Sequence, residues 1–424
     1  MKIKDIEIIW LHIPFHEVPQ RAMERNCHGW HISEICRVTT DNGLVGVGET
    51  LPNYTWGSVS KSAIERAKGA NPFEIMWDDS LGAGLQMAAL DLAGKAAGVP
   101  VYQLLGTKVR SWCPISWWGI DMPPQDYAAQ ARDAVARGYT SFKQKARPWF
   151  DVFEQARLTA AEVDINFKLD FDFNASLNNA ANALPVLEQL DPVPQIWIYE
   201  SPIPQDDVAG NQRIRARTRC AIAMHYGVPP IATAVREQVN DGWVIGGGVT
   251  QILREAHVCE QLNMPFWLQL VGTAWTTTLA AHLGAVCPMA HWPAVTCMNM
   301  YVDQLVTQPI KVIGGRYAVP EGPGLGIEFN EAALKYRVDS PACPPLNAFN
   351  DKAIYAIVGP NGSKTWYNGE MTPGGFRQEA LAGNVPLFER GVNLETWYND
   401  GSKDWKDLAE RVKVAPVMAR GEGE

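Results

Sequence analysis

The chain has 424 residues, of which 46% are hydrophobic and 20% are charged. This composition is typical of globular proteins and excludes a collagen-like, low-complexity or wholly disordered chain. The 37 basic and 46 acidic residues give a net charge of -9, which argues against nucleic acid as the main partner. No run of about 18 apolar residues occurs, and the first residues lack the features of a signal peptide. We therefore expect a cytoplasmic protein that does not span a membrane.

The first hundred residues predict a small unit of mixed α and β structure. Apolar residues alternate with others in an opening strand, and residues 32–49 predict a β-hairpin. Residues 84–98 carry apolar side chains at helical spacing and end in glycine, which predicts a helix. We expect an α+β domain over residues 1–112.

From residue 113 onward, short β-like runs alternate with amphipathic helical stretches. This alternation predicts parallel strands joined by helical crossovers. Four predicted strands end in polar residues that are 27, 28 and 25 residues apart: Lys145, Asp172, Glu200 and His225. Each interval is one strand–helix unit, and barrel enzymes carry their chemistry at the carboxyl ends of the strands. A doubly wound sheet would open on a glycine-rich turn such as GxGxxG, which is missing, so we predict an α/β TIM-type barrel over residues 113–338.

The last segment, residues 339–424, is rich in turn-forming residues and ends in a predicted helix. It keeps several aromatic residues, so we expect a loop-rich C-terminal extension that packs on the body of the protein. Three roles stay open for it: covering the barrel, mediating assembly, or reaching the site of a neighbouring subunit.

Two lysines, Lys143 and Lys145, share one face of a predicted strand because they are two residues apart. Neighbouring lysines raise the cost of protonating each other, which lowers the pKa of one toward that of a general base. A solvated strand edge is the simpler alternative.

The three predicted strands after the lysines carry acidic and other polar residues toward their carboxyl ends. Asp170, Asp172 and Asn174 share one face, Glu200 ends the following strand, and His225 ends the one after. Carboxylates that converge at one end of a barrel repel one another unless a cation lies between them, and oxygen ligands favour Mg²⁺. Separate salt bridges to the lysines are the alternative for the carboxylates, and a structural hydrogen bond is the alternative for His225.

These motifs together resemble the mandelate racemase/muconate lactonizing enzyme branch of the enolase superfamily, over about residues 1–335. The hairpin GLVGVGET (43–50), the helix LDLAGKAAGVPVYQLLGTKVR (90–110) and the segment VPEGPGLGIEF (319–329) are similar to stretches of that family. Three shorter motifs resemble its KxK, DxN and E-E-P motifs: Lys143-Gln144-Lys145, Asp172-Phe173-Asn174 and Glu200-Ser201-Pro202.

The resemblance implies a (β/α)7β barrel with an N-terminal capping domain. It also implies that Mg²⁺ binds a substrate carboxylate while a base removes the α-proton. Lys145 would be that base, and Lys143 would lower its pKa. Asp172 and Glu200 would bind the metal.

The third metal ligand departs from the family's pattern. Either His225 or Tyr226 stands where relatives carry a carboxylate. We prefer His225, because a neutral imidazole is a competent ligand and a phenol is a poor one at neutral pH. An imidazole in that place weakens Mg²⁺ binding and makes Mn²⁺ an alternative.

The opposite wall of the barrel also departs from the family. The sixth strand lacks an acid, lysine or histidine, and Gln269 stands near the place of a family histidine. Glutamine does not exchange protons at neutral pH, which disfavours racemisation by two bases. We therefore predict a one-base hydroxy-acid or acid-sugar dehydratase. The alternatives are a racemase or epimerase, a cycloisomerase, and a non-catalytic binding protein.

A small-molecule carboxylate is the expected substrate. The residues expected to contact it are Asn174, Gln269, Asp170, Trp30 and Tyr54, the last two from capping segments. By analogy with the family, we expect a homo-oligomer.

Overall fold

The structure, a computed structural model, describes residues 1–54, 57–342, 351–385 and 387–419, without the side chain of His28. An antiparallel sheet with helices packed against it forms the N-terminal part. Its elements are β1 (Ile3–His12), α1 (Glu17–Asn26), β2 (Ile32–Thr40), β3 (Val45–Thr50), α2 (Lys61–Ala67), α3 (Pro72–Ile75), α4 (Ala83–Ala97) and α5 (Val101–Leu105). Strands β1, β2 and β3 pair in sequence order, which confirms the predicted hairpin.

Two glycines in β3 allow the helix α4 to lie directly against the hairpin. A Cβ atom on Gly46 would lie 2.5 Å from the carbonyl oxygen of Ala88, and one on Gly48 would lie 2.0 Å from that of Gly84. No side chain fits at these distances, so the alternating glycines of the hairpin set the approach of the helix.

A parallel barrel follows. Its strands are β4 (Trp112–Gly119), β5 (Ser141–Lys145), β6 (Lys168–Asp172), β7 (Ile196–Glu200), β8 (Ala221–His225), β9 (Gly242–Ile245), β10 (Phe266–Leu268) and β11 (Ala294–Val295). The helices between them are α6 (Pro124–Ala136), α7 (Val152–Ala161), α8 (Ala180–Leu190), α9 (Val208–Arg215), α10 (Ile231–Glu237), α11 (Val249–Leu262) and α12 (Ala274–Val286).

The ring of strands is closed. Strands β4 to β10 pair in parallel with their neighbours in sequence, and β11 pairs in parallel with β4. A parallel bridge from Gln269 to Val295 joins the end of β10 to β11. Within the described residues, eight parallel strands alternate with seven helices, which confirms the predicted (β/α)7β barrel.

The chain then returns to its N-terminal part. Strands β12 (Val312–Ile313) and β13 (Arg316–Ala318) form a hairpin beside β4, and β14 (Arg337–Val338) pairs with β1. Among the residues that the structure describes, no helix is long and apolar enough to cross a bilayer.

The C-terminal unit, which we define as residues 351–385 and 387–419, is a second antiparallel sheet. Its elements are β15 (Ala353–Val358), β16 (Lys364–Tyr367), α13 (Phe376–Leu381), β17 (Asn393–Tyr398), α14 (Lys403–Val412) and β18 (Val417–Ala419), with the strand order β17-β15-β16-β18. This unit contains more strands than the expected loop-rich extension, and α14 agrees with its predicted terminal helix. Its glycine, asparagine and proline residues lie largely between short strands, where they form the turns.

Candidate active site

Four side chains predicted to act together lie at one end of the barrel. Lys145, Asp172, Glu200 and His225 are the last residues of β5, β6, β7 and β8. Lys145 is paired in register with Asp172, and Asp172 with Glu200. Because parallel strands place their carboxyl ends on one side, these residues meet at the mouth of the barrel.

Lys143 is buried beneath this mouth. Its ammonium group forms an ion pair with Glu200, lies 3.4 Å from Oδ2 of Asp172, and donates a 2.9 Å hydrogen bond to Oε1 of Gln269. Burial by itself lowers the pKa of Lys143, but the attraction of Glu200, Asp172 and Asp170 outweighs it and raises the pKa. Lys143 therefore carries a positive charge at neutral pH.

Lys145 lies nearer the opening, with 12% of its side chain exposed. Its Nζ contacts Asp172 and donates a 3.0 Å hydrogen bond to Oδ1 of Asn174. Burial raises the pKa of Asp172, but Lys145 and Lys143 together lower it well below its usual range. Asp172 is consequently a stable carboxylate beside the candidate base.

Asp170 lies one pleat deeper than Asp172 and is buried. Burial, together with the negative charge of Glu200, raises the pKa of Asp170 well above its usual range, although Lys143 opposes this. Its Oδ1 accepts no hydrogen bond from the described residues. Asp170 thus lies below the mouth, one layer beneath Asp172, and its contact with substrate stays a prediction.

The structure distinguishes His225 from Tyr226. Nε2 of His225 lies 3.3 Å from Oε1 of Glu200, whereas the ring of Tyr226 packs edge-on against Trp243 with 5.5 Å between ring centres. Successive residues of a strand point to opposite faces, so only one of the two side chains reaches the carboxylates. That side chain is the imidazole.

The opposite wall carries Gln269, held by Lys143, and the buried ring of Trp267, which lies 5.1 Å from the Lys143 ammonium group. Strand β9 contributes Gly242, Trp243, Val244 and Ile245. None of the described residues on these two strands is an acid or base suited to proton transfer at neutral pH.

The capping residues Trp30 and Tyr54 lie together. Their rings are 4.4 Å apart, and Trp30 also stacks on Trp118 of β4 at 5.6 Å. Trp118 is paired in register with Lys143 on the next strand. Trp30 therefore brings the N-terminal part onto the barrel near the lysines.

Asp172, Glu200 and His225 are possible ligands for a divalent metal, and they lie at the ends of three neighbouring strands. Glu200 is buried, and neither of its carboxylate oxygens accepts a hydrogen bond of good geometry from the described residues; its contacts with Lys143 and His225 are those of charge and proximity. In the described parts of the chain, no three His, Cys, Asp or Glu side chains converge as a ready-made metal site. The two carboxylates and the imidazole fit a divalent ion by chemistry, with Lys143 and Lys145 beside them.

A charged cluster that was not among the predicted site residues lies next to Lys145. Arg147 donates a 2.9 Å hydrogen bond to Oδ1 of Asn174 and forms an ion pair with Asp121, which follows β4. Glu370 of the C-terminal unit joins this cluster through Asn26. Arg147 continues the i, i+2 series of Lys143 and Lys145, which was an available signal, whereas nothing in the sequence pattern connects Glu370 to the barrel.

Comparison with known proteins agrees with the observed fold. A family model described as enolase C-terminal domain-like matches residues 126–333. Together with the relatives described below, this match places the barrel of the chain in the enolase superfamily. It is 26% identical over 396 residues to D-gluconate dehydratase from Thermoproteus tenax, covering 81% of this chain and 75% of that protein.

Two further relatives illustrate the range of this superfamily. N-succinyl-L-Arg/Lys racemase from Bacillus cereus is 26% identical over 342 residues, covering 72% of this chain and 89% of that protein. The solved structure of muconate lactonizing enzyme from Pseudomonas putida has a TM-score of 0.65 at 20% identity, covering 80% of this chain and all of that chain, and shows the same fold. This enolase-superfamily protein is accordingly a lyase or an isomerase.

Proposed function

We propose that this chain is a hydroxy-acid or acid-sugar dehydratase in which Lys145 removes the proton α to the substrate carboxylate. The observation that carries the proposal is the position of Lys145, at the end of β5, with its Nζ between Asp172 and Asn174 at the mouth of the barrel. The relative named D-gluconate dehydratase supports a hydroxylated acid as substrate.

In the proposed reaction, positive charges at the barrel mouth first bind the substrate carboxylate. Lys143 keeps its proton and supplies a fixed positive charge beneath the substrate carboxylate. A divalent metal ion, held by Asp172, Glu200 and His225, would when bound stabilise the negative charge that develops on that carboxylate. Gln269 orients Lys143 through its hydrogen bond.

Dehydration needs only one base. The amine of Lys145 takes the α-proton, and the electrons of the broken C–H bond form the new carbon–carbon double bond as the β C–O bond breaks. The proton then passes from Lys145 to the departing hydroxyl, which leaves as water. Racemisation by two opposed bases needs a second group on the far wall, where the chain has Gln269 and apolar residues.

Solvent exchange tests this proposal. We expect the protein, incubated in D₂O with Mg²⁺ or Mn²⁺ and a library of hydroxy acids and acid sugars, to convert at least one compound to the dehydrated acid. We also expect recovered substrate to carry solvent deuterium at its α-carbon, from molecules in which the proton returns before water is lost. Lys145→Ala should lose this activity by a factor of about 10³ or more, because proton transfer is the step removed. Lys68→Ala, at an exposed position of the N-terminal part, is the matched control.

Three other results of this experiment would contradict the proposed dehydratase or its base. Measurable binding with no exchange by the unmodified protein would favour a binding protein. Exchange that survives in Lys145→Ala would show that another residue is the base. Exchange with inversion and no loss of water would favour a racemase.

The metal assignment has its own test. We expect Asp172→Ala and Glu200→Ala to weaken Mn²⁺ binding in calorimetry, each by on the order of tenfold or more, because each removes an anionic donor. His225→Ala should weaken it less, and Tyr226→Phe should leave it unchanged. Glu331→Ala, at an exposed position, is the control. Unchanged affinity in both carboxylate variants would show that the metal ligands are misassigned.

A further inference from the structure

The loop between β16 and α13 inserts a carboxyl group into the end of the barrel. Glu370 is buried, with 1% of its surface exposed. Its Oε2 lies 3.2 Å from Nε of Arg25, and its Oε1 accepts a 2.7 Å hydrogen bond from Asn26. Arg25 and Asn26 form the last turn of α1, in the N-terminal part. Glu370 therefore links the C-terminal unit to the cap.

The same contacts reach the barrel through Asp121. Nδ2 of Asn26 donates to both Glu370 and Asp121, and Arg25 donates to the backbone carbonyl of Asp121. Asp121 has a φ of 45°, a conformation that costs energy for a residue with a side chain. Contacts from two other parts of the chain thus hold Asp121 in place.

Asp121 in turn positions Arg147. Nε of Arg147 lies 2.6 Å from Oδ1 of Asp121. Arg147 is buried, and its Nη2 donates to Oδ1 of Asn174 at 2.9 Å. That same amide oxygen accepts the hydrogen bond of Lys145. A continuous series of contacts therefore runs from Glu370 to the candidate base.

The charged groups of this series are two arginines, Arg25 and Arg147, and two carboxyl groups, Asp121 and Glu370. Burial, followed by the repulsion of Asp121, raises the pKa of Glu370 to about 8. Arg147 and a hydrogen bond from Glu370 outweigh burial at Asp121 and lower the pKa of Asp121. When Glu370 is protonated it can donate to the Asp121 carboxylate, which leaves the charge of Asp121 directed at Arg147.

An apolar contact also holds the C-terminal unit at this place. Trp149, two residues beyond Arg147, packs edge-on against Phe376 with 4.9 Å between ring centres, and both are buried. Oδ2 of Asp151, the N-cap of α7, accepts a hydrogen bond from the backbone of Gly391 at 2.8 Å. The loop that carries Arg147 therefore contacts the C-terminal unit at two places, Trp149 and Asp151.

We propose that the C-terminal unit is a working part of the active site and that Glu370 is a positioning residue. By holding Asp121, it fixes Arg147 and Asn174 and so the direction in which Lys145 points. This inference rests on the proposed role of Lys145 as the base. A shift of about 1 Å in a reacting group lowers turnover by on the order of a hundredfold, so a residue that reaches Lys145 only through other side chains can still affect the rate.

The test compares two substitutions at one position. Glu370→Gln keeps the size, the neutral charge, the donor to Asp121 and the acceptor for Asn26, so we expect kcat within about threefold of the unmodified protein. Glu370→Leu removes these hydrogen bonds, so we expect kcat to fall at least tenfold while KM changes less than threefold. Glu389→Leu, at an exposed position of the same unit, is the control. Asn26→Leu breaks the series from the cap side if Glu370→Leu does not fold.

A second measurement does not depend on turnover. Reductive methylation followed by mass spectrometry reports how accessible each lysine amine is. We expect the rate at Lys145 to rise severalfold in Glu370→Leu and Asn26→Leu but not in Glu370→Gln, with Lys68 unchanged in all of them. If the folded Leu variants change neither kcat nor the rate at Lys145, the positioning role is wrong. If the unmodified protein shows no α-proton exchange but the methylation rates change as expected, the proposed function fails while the structural coupling stands.

Discussion

At the scale of single residues, the buried His282 joins three parts of the molecule. It lies on α12, its Nδ1 accepts a 3.2 Å hydrogen bond from the backbone N–H of Tyr102 on α5, and its Nε2 lies 3.1 Å from the carbonyl oxygen of Leu325 in the returning segment. Because Nδ1 accepts, the proton of the neutral ring lies on Nε2, which donates to Leu325. Burial lowers the pKa of His282 to about 4, partly offset by this hydrogen bond.

His282 makes the stability of the fold depend on pH. Between pH 6.5 and 4 the unfolded chain binds a proton that the folded chain does not, so stability falls as the pH falls through this window. From pH 7 to pH 5 the loss is about 2 kcal/mol. We expect urea unfolding to show His282→Gln less stable than the unmodified protein at pH 7, with that gap narrowing by about this amount at pH 5. His257→Gln, at an exposed position of α11, is the control, and a constant gap for His282→Gln would contradict the assignment.

At the scale of elements, the N-terminal part supplies caps for two barrel helices. The helices α11 and α12 have no side-chain cap at their own N-cap residues, Gly248 and Thr273. Asp79 accepts 2.9 Å hydrogen bonds from the backbone N–H groups of Thr250 and Gln251, in the first turn of α11. A carboxylate at a helix N-terminus satisfies free N–H groups and opposes the helix dipole. The capping part therefore stabilises the barrel directly.

Glu49 of β3 has the same role at α12. Its buried carboxylate accepts hydrogen bonds from the backbone N–H groups of Thr273 and Thr276 at 2.9 and 3.2 Å and from the hydroxyl of Ser33 at 2.9 Å. We expect Glu49→Ala to lower the free energy of unfolding by on the order of 3 kcal/mol, because it leaves buried N–H groups without an acceptor. Chemical denaturation measures the loss. Glu65→Ala, exposed on α2, should change stability by less than about 0.5 kcal/mol, and an equally small effect at Glu49 would contradict the capping role.

At the scale of the whole molecule, three parts of the chain meet at the mouth of the barrel. The cap contributes Arg25, Asn26 and Trp30, the barrel contributes the lysines and carboxylates, and the C-terminal unit contributes Glu370. The family model ends at residue 333, before this last unit begins. The C-terminal unit therefore lies outside the matched region and contacts the barrel at its mouth, where the candidate base lies. Assembly into a homo-oligomer stays a prediction.

The strand ends could be read from the sequence because their pattern is local. Each strand–helix unit repeats the same short run of buried and polar residues, so the spacing of Lys145, Asp172, Glu200 and His225 placed them at successive strand ends, as the structure confirms. The C-terminal unit was harder to read. Its strands are only three to six residues long, and turn residues dominate between them.

The sequence by itself determined the class of fold, the order of the barrel strands and the residues at their ends, because these follow from periodicity along the chain. Only the tertiary structure decided that His225 rather than Tyr226 approaches Glu200, that Glu49 caps α12, and that Glu370 reaches Arg147 through Asp121. These contacts join residues up to hundreds of positions apart, and their charges are stabilised by partners that come together only when the three parts pack. Sequence spacing carries no information about such distances, which packing alone sets.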